Sequence, residues 1–459
     1  MKIQTRNWTI VLLIPLALMA ILHSHFNAEA IMAMYLGITV FIILVWAFEV
    51  LPSVQAAILL PLLYIVFGIA PIEKVFQPWL TFLPWVCVAG LVFGDILGRT
   101  GLARRIALLC VKIMGGSFTS IAVGLMLAGI LLAALVPSIM ARVVIFYAVT
   151  CGFADALGLE KKSRLSSGVL MSGFFAATSP AIIYMTGAEQ NLLGINMINM
   201  NEEVITWGGY LLDNLPAGLV YCCLSVVFAH LIKGRESLPP KDLVKKEVAE
   251  QLAAMGKFTS AEFKTLALLV FGVSAFVALG ANEGPWLFVI AACLAFFPGF
   301  SLINEQQLRG LNFGFIFFVT GCMAIGFAAG HLGLPKMIGD WMAPVLQGES
   351  GLMCVLLSYG AGLGLNFLLT PLAATASMGG PLVAVAAELG MSPLPFVYSF
   401  LYGLDQYIFP YEYALLLFFF MDSRVTLSHI IPPLAARMVT TLVILAAVAY
   451  PWWMLRGII

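Results

Sequence analysis

Apolar runs of about 17–25 residues, each long enough to cross a bilayer, recur along the chain between short polar stretches. The first covers roughly Trp8 to Leu22, followed by Ile31 to Leu51, Val54 to Ile69 and Leu83 to Leu97. Arg99, Arg104, Arg105 and Lys112 come next, and Lys161, Lys162 and Arg164 form a second basic cluster. Basic loops stay cytoplasmic, so with a cytoplasmic N-terminus both clusters belong on one side. Between them two apolar segments meet at Val136-Pro137-Ser138-Ile139-Met140-Ala141-Arg142. Proline cannot continue a helix, and serine can bond a freed carbonyl. The pattern predicts a re-entrant hairpin near 118–155, made of two half-length arms with its tip near the membrane midplane.

One further span, Ser166 to Leu193, leads to an acidic loop with Glu202 and Glu203, and another, Trp207 to Ile232, returns. The hydrophilic stretch Lys233 to Lys264 then reads as a cytoplasmic linker, with a short surface helix over Lys241–Leu252. Spans are expected at Leu266–Leu279, Pro285–Phe297 and Phe313–Ala329. A second apolar pair, near 352–390, meets at Thr370-Pro371. A broken span follows around Phe400–Met421, and a last one covers Met438 to Leu455. This predicts an all-α polytopic membrane protein of about eleven crossings and two hairpins, with its C-terminus outside.

Composition agrees. Of 459 residues, 62% are hydrophobic and 10% charged, against roughly 25% charged in an average soluble chain. The short alternating segments of a β-barrel are absent from the sequence. The net charge is zero, and no basic patch suggests nucleic acid. Cys87, Cys110, Cys151, Cys222, Cys223, Cys293, Cys322 and Cys354 form no CxxC and read as small apolar residues. No metal or cofactor is expected, because the five histidines lack ligand spacing and His331 reads as structural. Sequences of the GxSxG, Walker A and HExxH kinds are missing, so no enzyme is indicated. Lys2 and Arg6 ahead of a long apolar run, with no clear cleavage site, suggest an uncleaved first helix.

The two halves echo each other. Gly98-Arg99-Thr100-Gly101-Leu102 matches Gly330-His331-Leu332-Gly333-Leu334, and Pro137-Ser138-Ile139-Met140-Ala141 matches Thr370-Pro371-Leu372-Ala373-Ala374. Gly187-Ala188-Glu189-Gln190-Asn191 likewise pairs with Gly403-Leu404-Asp405-Gln406-Tyr407. Five crossings per half make the repeat inverted. The expected units are an N-terminal helix (1–30), a first repeat (31–232), the linker (233–264) and a second repeat (265–459). Inverted repeats with discontinuous helices are the architecture of secondary transporters.

At this point the chain resembles the divalent anion/sodium symporter family, the carriers of dicarboxylates, citrate and sulfate. Gly101-Leu102-Ala103-Arg104-Arg105-Ile106-Ala107 is similar to that family's Gly-Leu-x-x-Arg segment, and Ile205-Thr206-Trp207-Gly208 to the segment ahead of its sixth span. The resemblance implies a homodimer in the cytoplasmic membrane, with a fixed scaffold domain and a moving, elevator-like transport domain. It also implies substrate and sodium at Ser-Asn-Thr tips. Here the tips read Ser138-Ile139-Met140 and Pro371-Leu372-Ala373, with Thr370 and Thr375 nearby as replacements. The family's Thr-Pro-Pro-Asn becomes Ala188-Glu189-Gln190-Asn191 and Leu404-Asp405-Gln406-Tyr407.

Losing tip oxygens removes the hard ligands that sodium needs, while Glu189 and Asp405 add two carboxylates. A buried carboxylate resists ionisation and suits proton carriage. Arg142 is a candidate fork for a substrate carboxylate, or else a permanent partner of Glu189 or Asp405. Ser138, Asn191, Thr370, Thr375, Gln190 and Gln406 complete the candidate substrate site, although the two glutamines also suit capping of broken helix ends. Tyr407 to Tyr413 are candidates to line the cavity or to sit in an interfacial belt. The leading expectation is a proton-coupled, secondary-active carrier of a small di- or tricarboxylate. The alternatives are sodium coupling, a cation/proton antiporter, and a non-transporting membrane sensor or assembly protein.

Overall fold

The computed structural model describes residues 2–25, 29–48, 50–136, 138–199, 205–346, 348–367, 369–408, 415–416, 419–420 and 424–459. Pro137, Glu202, Glu203 and the aromatic run from Phe409 to Tyr413 lie outside them. The described residues are helical, with no strand among them, and nine of their helices are long and apolar enough to cross a membrane. The protein is an all-α polytopic membrane protein.

The chain opens with α1 (Lys2–His25), α2 (Ala30–Ala47) and α3 (Ser53–Val66). A short α4 (Ile72–Val75) leads to α5 (Leu83–Thr100) and α6 (Leu102–Met114). The first apolar pair is α7 (Phe118–Leu135) and α8 (Ile139–Ala156), and after it come α9 (Arg164–Thr178), α10 (Glu189–Asn199) and α11 (Trp207–Lys233). The linker holds α12 (Lys241–Ala254), as expected, and leads to α13 (Ser260–Leu294), α14 (Glu305–Arg309), α15 (Gly314–His331) and α16 (Leu334–Leu346). The second pair is α17 (Gly351–Asn366) and α18 (Pro371–Glu388), then α19 (Pro393–Leu404). The last span runs through α20 (Leu427–Ile444), a π-turn over Leu445–Ala449 and α21 (Tyr450–Arg456).

Four expectations are corrected. The arms α7 and α8 are 18 residues each, or roughly 27 Å at the helical rise, so they are not half-length. Their apolar runs carry no internal breaker, and the chain is interrupted only between them. The span expected over Ser166–Leu193 is discontinuous: α9 ends at Thr178, 3-10 turns cover Ser179–Ile183 and Met185–Gly187, and α10 starts at Glu189. Pro180 cannot donate to an α-helical ladder and sits where the helix gives way. The last span begins at Leu427, not Met438, because Pro432 and Pro433 are absorbed within the helix. Finally, α6 and α16 are additional helices that hydropathy runs overlooked, being amphipathic rather than uniformly apolar.

The chain doubles back within α13, and Pro285 interrupts its backbone ladder. The Phe276 and Phe288 rings are 5.6 Å apart, whereas twelve residues of straight helix would separate them by roughly 18 Å. The two expected spans, Leu266–Leu279 and Pro285–Phe297, are thus the two arms of one bent element.

The three basic stretches gather at one end of the molecule. Arg105 on α6 donates to Glu262 at 2.5 Å and to the carbonyls of Gly256, Met255 and Lys257. Glu262 also closes a capping box with Thr259 at the start of α13. Glu236 accepts from the backbone N–H groups of Arg164 and Leu165 at 3.2 and 2.7 Å. The linker is therefore fastened to α6 and to the start of α9, on either side of the first apolar pair.

Close packing places the second half. A Cβ on Gly403 of α19 would lie 2.3 Å from the Tyr359 carbonyl oxygen of α17, and one on Gly362 would meet the Phe400 carbonyl at the same distance. Only glycine lets these backbones approach. Gly403→Val is expected to push the helices apart at a cost of about 1–3 kcal/mol or more, seen as a lowered melting temperature of the purified protein. An unchanged melting temperature would show that this contact is not tight.

Candidate functional site

Both tips open onto one cavity of about 280 Å³, lined by Ser138, Ile139, Met140, Glu189, Gln190, Thr370, Pro371 and Leu372. Leu91, Asn312, Phe315, Phe318 and Leu415 close its walls. Ile139, Glu189 and Pro371 are the first residues of α8, α10 and α18. Three helix N-termini thus converge on one space. Each end is the positive pole of its helix, which makes such a place favourable for an anion. The tip hydroxyls cap two of these helices: Ser138 Oγ accepts from the Ala141 N–H and Thr370 Oγ1 from the Ala373 N–H, both at 3.4 Å. Glu189 brings the cavity its carboxylate.

Arg142 itself does not line this space. It is completely buried and donates to three backbone carbonyls: Val136 at 2.5 Å, Gly187 at 2.6 Å and Ala177 at 2.9 Å. These carbonyls belong to the first tip and to both sides of the break between α9 and α10. Where a helix is interrupted in an apolar interior, its freed carbonyls need donors, and one guanidinium supplies three of them. The Gly187 carbonyl can reach it because a Cβ on that residue would fall 2.2 Å from the Ala181 carbonyl oxygen.

Two other expected site residues also serve the frame. The Asn191 amide donates to the carbonyls of Ala181 and Tyr184 at 2.9 and 3.2 Å. The Thr375 hydroxyl turns back to the Pro371 carbonyl at 2.8 Å and is fully buried.

Asp405 and Gln406 stand in a second buried cluster. Asp405 Oδ2 accepts from Arg437 Nη2 at 3.0 Å and from the Tyr221 hydroxyl at 2.7 Å. Arg437 Nη2 also donates to the Tyr221 hydroxyl and, at 3.4 Å, to Ser179 Oγ. The Gln406 amide donates to the Tyr221 hydroxyl at 3.0 Å and to the Tyr402 carbonyl at 2.9 Å. Asn366, at the end of α17, donates to the Gln406 carbonyl at 2.6 Å. The two carboxylates at matching positions are therefore differently housed, Glu189 on the cavity and Asp405 beside a cation.

Sequence reasoning missed Arg437, Tyr221 and Asn312. Arg437 carried the same signal as Arg142, a lone cation inside an apolar run, but starting the last span at Met438 left it at the edge. Nothing in the sequence singles out Tyr221 among 13 tyrosines.

Comparison with known proteins agrees with this architecture. A family model described as the sodium:sulfate symporter transmembrane region matches residues 4–457. A membrane protein of Cupriavidus necator is 27% identical over 273 residues, which make up 58% of this chain and 52% of that protein. An L-tartrate/succinate antiporter of Escherichia coli K12 is 24% identical over 322 residues, covering 68% of this chain and 65% of its own length. The chain thus spans between about half and two thirds of the length of these relatives. Matched almost end to end by the family model, and with its two tips meeting at one cavity, the chain belongs to the sodium:sulfate symporter family.

Proposed function

We propose that the protein is a secondary-active carrier of a small divalent anion, a dicarboxylate above all. The substrate is held at the tip cavity, and Glu189 carries the coupling proton. The observation that bears this reading is the convergence of α8, α10 and α18 on a space lined by both tips. Their N-termini favour an anion without a free lysine or arginine. The aromatic and apolar walls at Phe315, Phe318 and Leu372 suit the carbon skeleton of a dicarboxylate. The tartrate and succinate named for the Escherichia coli relative support the same class.

Charge balance supports coupling. Arg142 and Arg437 offset Glu189 and Asp405, so these four interior charges sum to zero when both acids are ionised. A dianion entering this setting adds two negative charges, and the cavity lining among the described residues holds no lysine or arginine to neutralise them. Asp405 is engaged by Arg437, which leaves Glu189, on the cavity wall, as the carboxylate to take up a proton with the substrate. Obligatory exchange of one dianion for another is the second reading, supported by the antiporter named among the relatives.

Counterflow tests carrier against sensor. Proteoliposomes preloaded with unlabelled succinate are expected to accumulate labelled succinate, and tartrate or sulfate added outside should compete. Thermal stabilisation by these dianions with no counterflow of any of them would mark a protein that binds without transporting.

A further inference from the structure

Arg437 is buried on α20 and holds two chain breaks at once. Its Nη2 reaches Asp405, which ends α19, and Ser179, which opens the 3-10 turn after α9. The guanidinium carbon lies 4.5 Å from the Tyr221 ring centroid and 5.2 Å from that of Phe175, so its orientation is set from two sides. Following the bonds outward gives a continuous band. The first tip is bound by Arg142 to Ala177 and Gly187, on either side of the Ser179 turn. Arg437 links that turn to Asp405, and the Gln406 carbonyl is bound by Asn366, four residues ahead of Thr370 at the second tip.

We propose that Arg437 is a positioning residue for the tip cavity. By clamping the Ser179 turn to the Asp405 break, it fixes where the chain enters α10 and so where Glu189 and Gln190 face the substrate. The consequence for transport rests on the cavity being the substrate site; the positioning itself does not. The charge of Asp405 is part of the clamp. Arg437 and Tyr221 touch it, while Arg142 on α8, Cys222 on α11, Tyr359 on α17 and Tyr402 on α19 act on it or feel it electrostatically. Among the described residues, Arg437 Nε and Nη1, Gln406 Oε1 and Asn366 Oδ1 are buried without a protein partner. The cluster therefore has bonding capacity with which to re-pair as the breaks shift.

The test is a cycle of Arg437→Gln, Asp405→Asn and the double variant, in full-length protein with Cys223 and Cys293 replaced by serine. Succinate uptake is followed against pH, and alkylation of a cysteine placed at Gln190 is followed without substrate. Arg437→Gln leaves Asp405 charged and uncompensated. Uptake should move to lower pH with KM raised about tenfold at neutral pH, and the alkylation rate should change at least about threefold. The double variant removes both charges and keeps hydrogen-bonding groups, so pH profile, KM and alkylation should return to within about threefold of the parent. A folded Arg437→Gln with parental values in all three readouts overturns the proposal, as does a folded double variant that fails to recover. If Arg437→Gln does not fold, the double variant alone decides between these outcomes. Alkylation that follows the prediction while no variant carries succinate would remove the substrate reading and leave the role of Arg437 standing.

Discussion

Glu189→Gln is expected to abolish the dependence of succinate uptake on an inward proton gradient while counterflow continues. The carboxylate stands at the first residue of α10, facing the cavity where three helix N-termini meet. On the proposed reading, an ionised Glu189 and an entering dianion would compete for the same positive ends. At a separation of about 5 Å and an effective dielectric near 20, two unit charges repel by roughly 3 kcal/mol. Neutralising one of them then favours the anion by roughly a hundredfold. Glutamine is close to the shape of protonated glutamate and holds the site permanently in that state. The variant should bind succinate at high pH as the parent does at low pH, and an imposed proton gradient should no longer concentrate it. Gradient-driven uptake with the parental pH profile would assign the proton to another group.

Arg142→Met should be the most damaging single substitution to the fold. It leaves the carbonyls of Val136, Ala177 and Gly187 without the donor that now serves them in a fully buried place. Hydrogen bonds from a charged donor contribute about 1.5–3 kcal/mol each, and losses within one network are not additive. A net cost of about 3–5 kcal/mol is therefore expected, seen as a steep fall in melting temperature or loss of monodisperse protein. Arg142→Lys should recover only part, because an ammonium cannot address three acceptors spread around a planar fork. A lysine variant that melts like the parent but shows a sharply raised KM for succinate would instead place the guanidinium on the substrate.

Much of the frame was legible because membrane spans announce themselves locally. The tip between α7 and α8 and the two arms of α13 each follow from residues adjacent in sequence, whereas the break before Glu189 lay inside a run read as one span. The roles of the charged residues were less accessible. Arg142 reads as a lone cation whether it meets a substrate or three carbonyls, and only the course of the Ala177–Gly187 backbone separates these. Asp405 and Arg437 pair across 32 residues, and Tyr221 joins them from 184 residues before Asp405, distances at which helical periodicity carries no information. The matching positions of Glu189 and Asp405 suggested matching roles, but packing gave one a cavity and the other a counter-ion. The amphipathic α6 and α16 escaped a reading built on continuous apolar length.

The most direct test of the central claim is initial succinate uptake into proteoliposomes, with proton and sodium gradients imposed separately. At the tips Ile139, Met140 and Leu372 offer sodium no side-chain oxygen and the Ser138 and Thr370 hydroxyls cap α8 and α18, while Glu189 offers a proton a carboxylate. An inward proton gradient in sodium-free buffer is expected to drive accumulation, and adding a sodium gradient should not change the rate. Uptake that requires sodium and ignores the proton gradient would contradict the account.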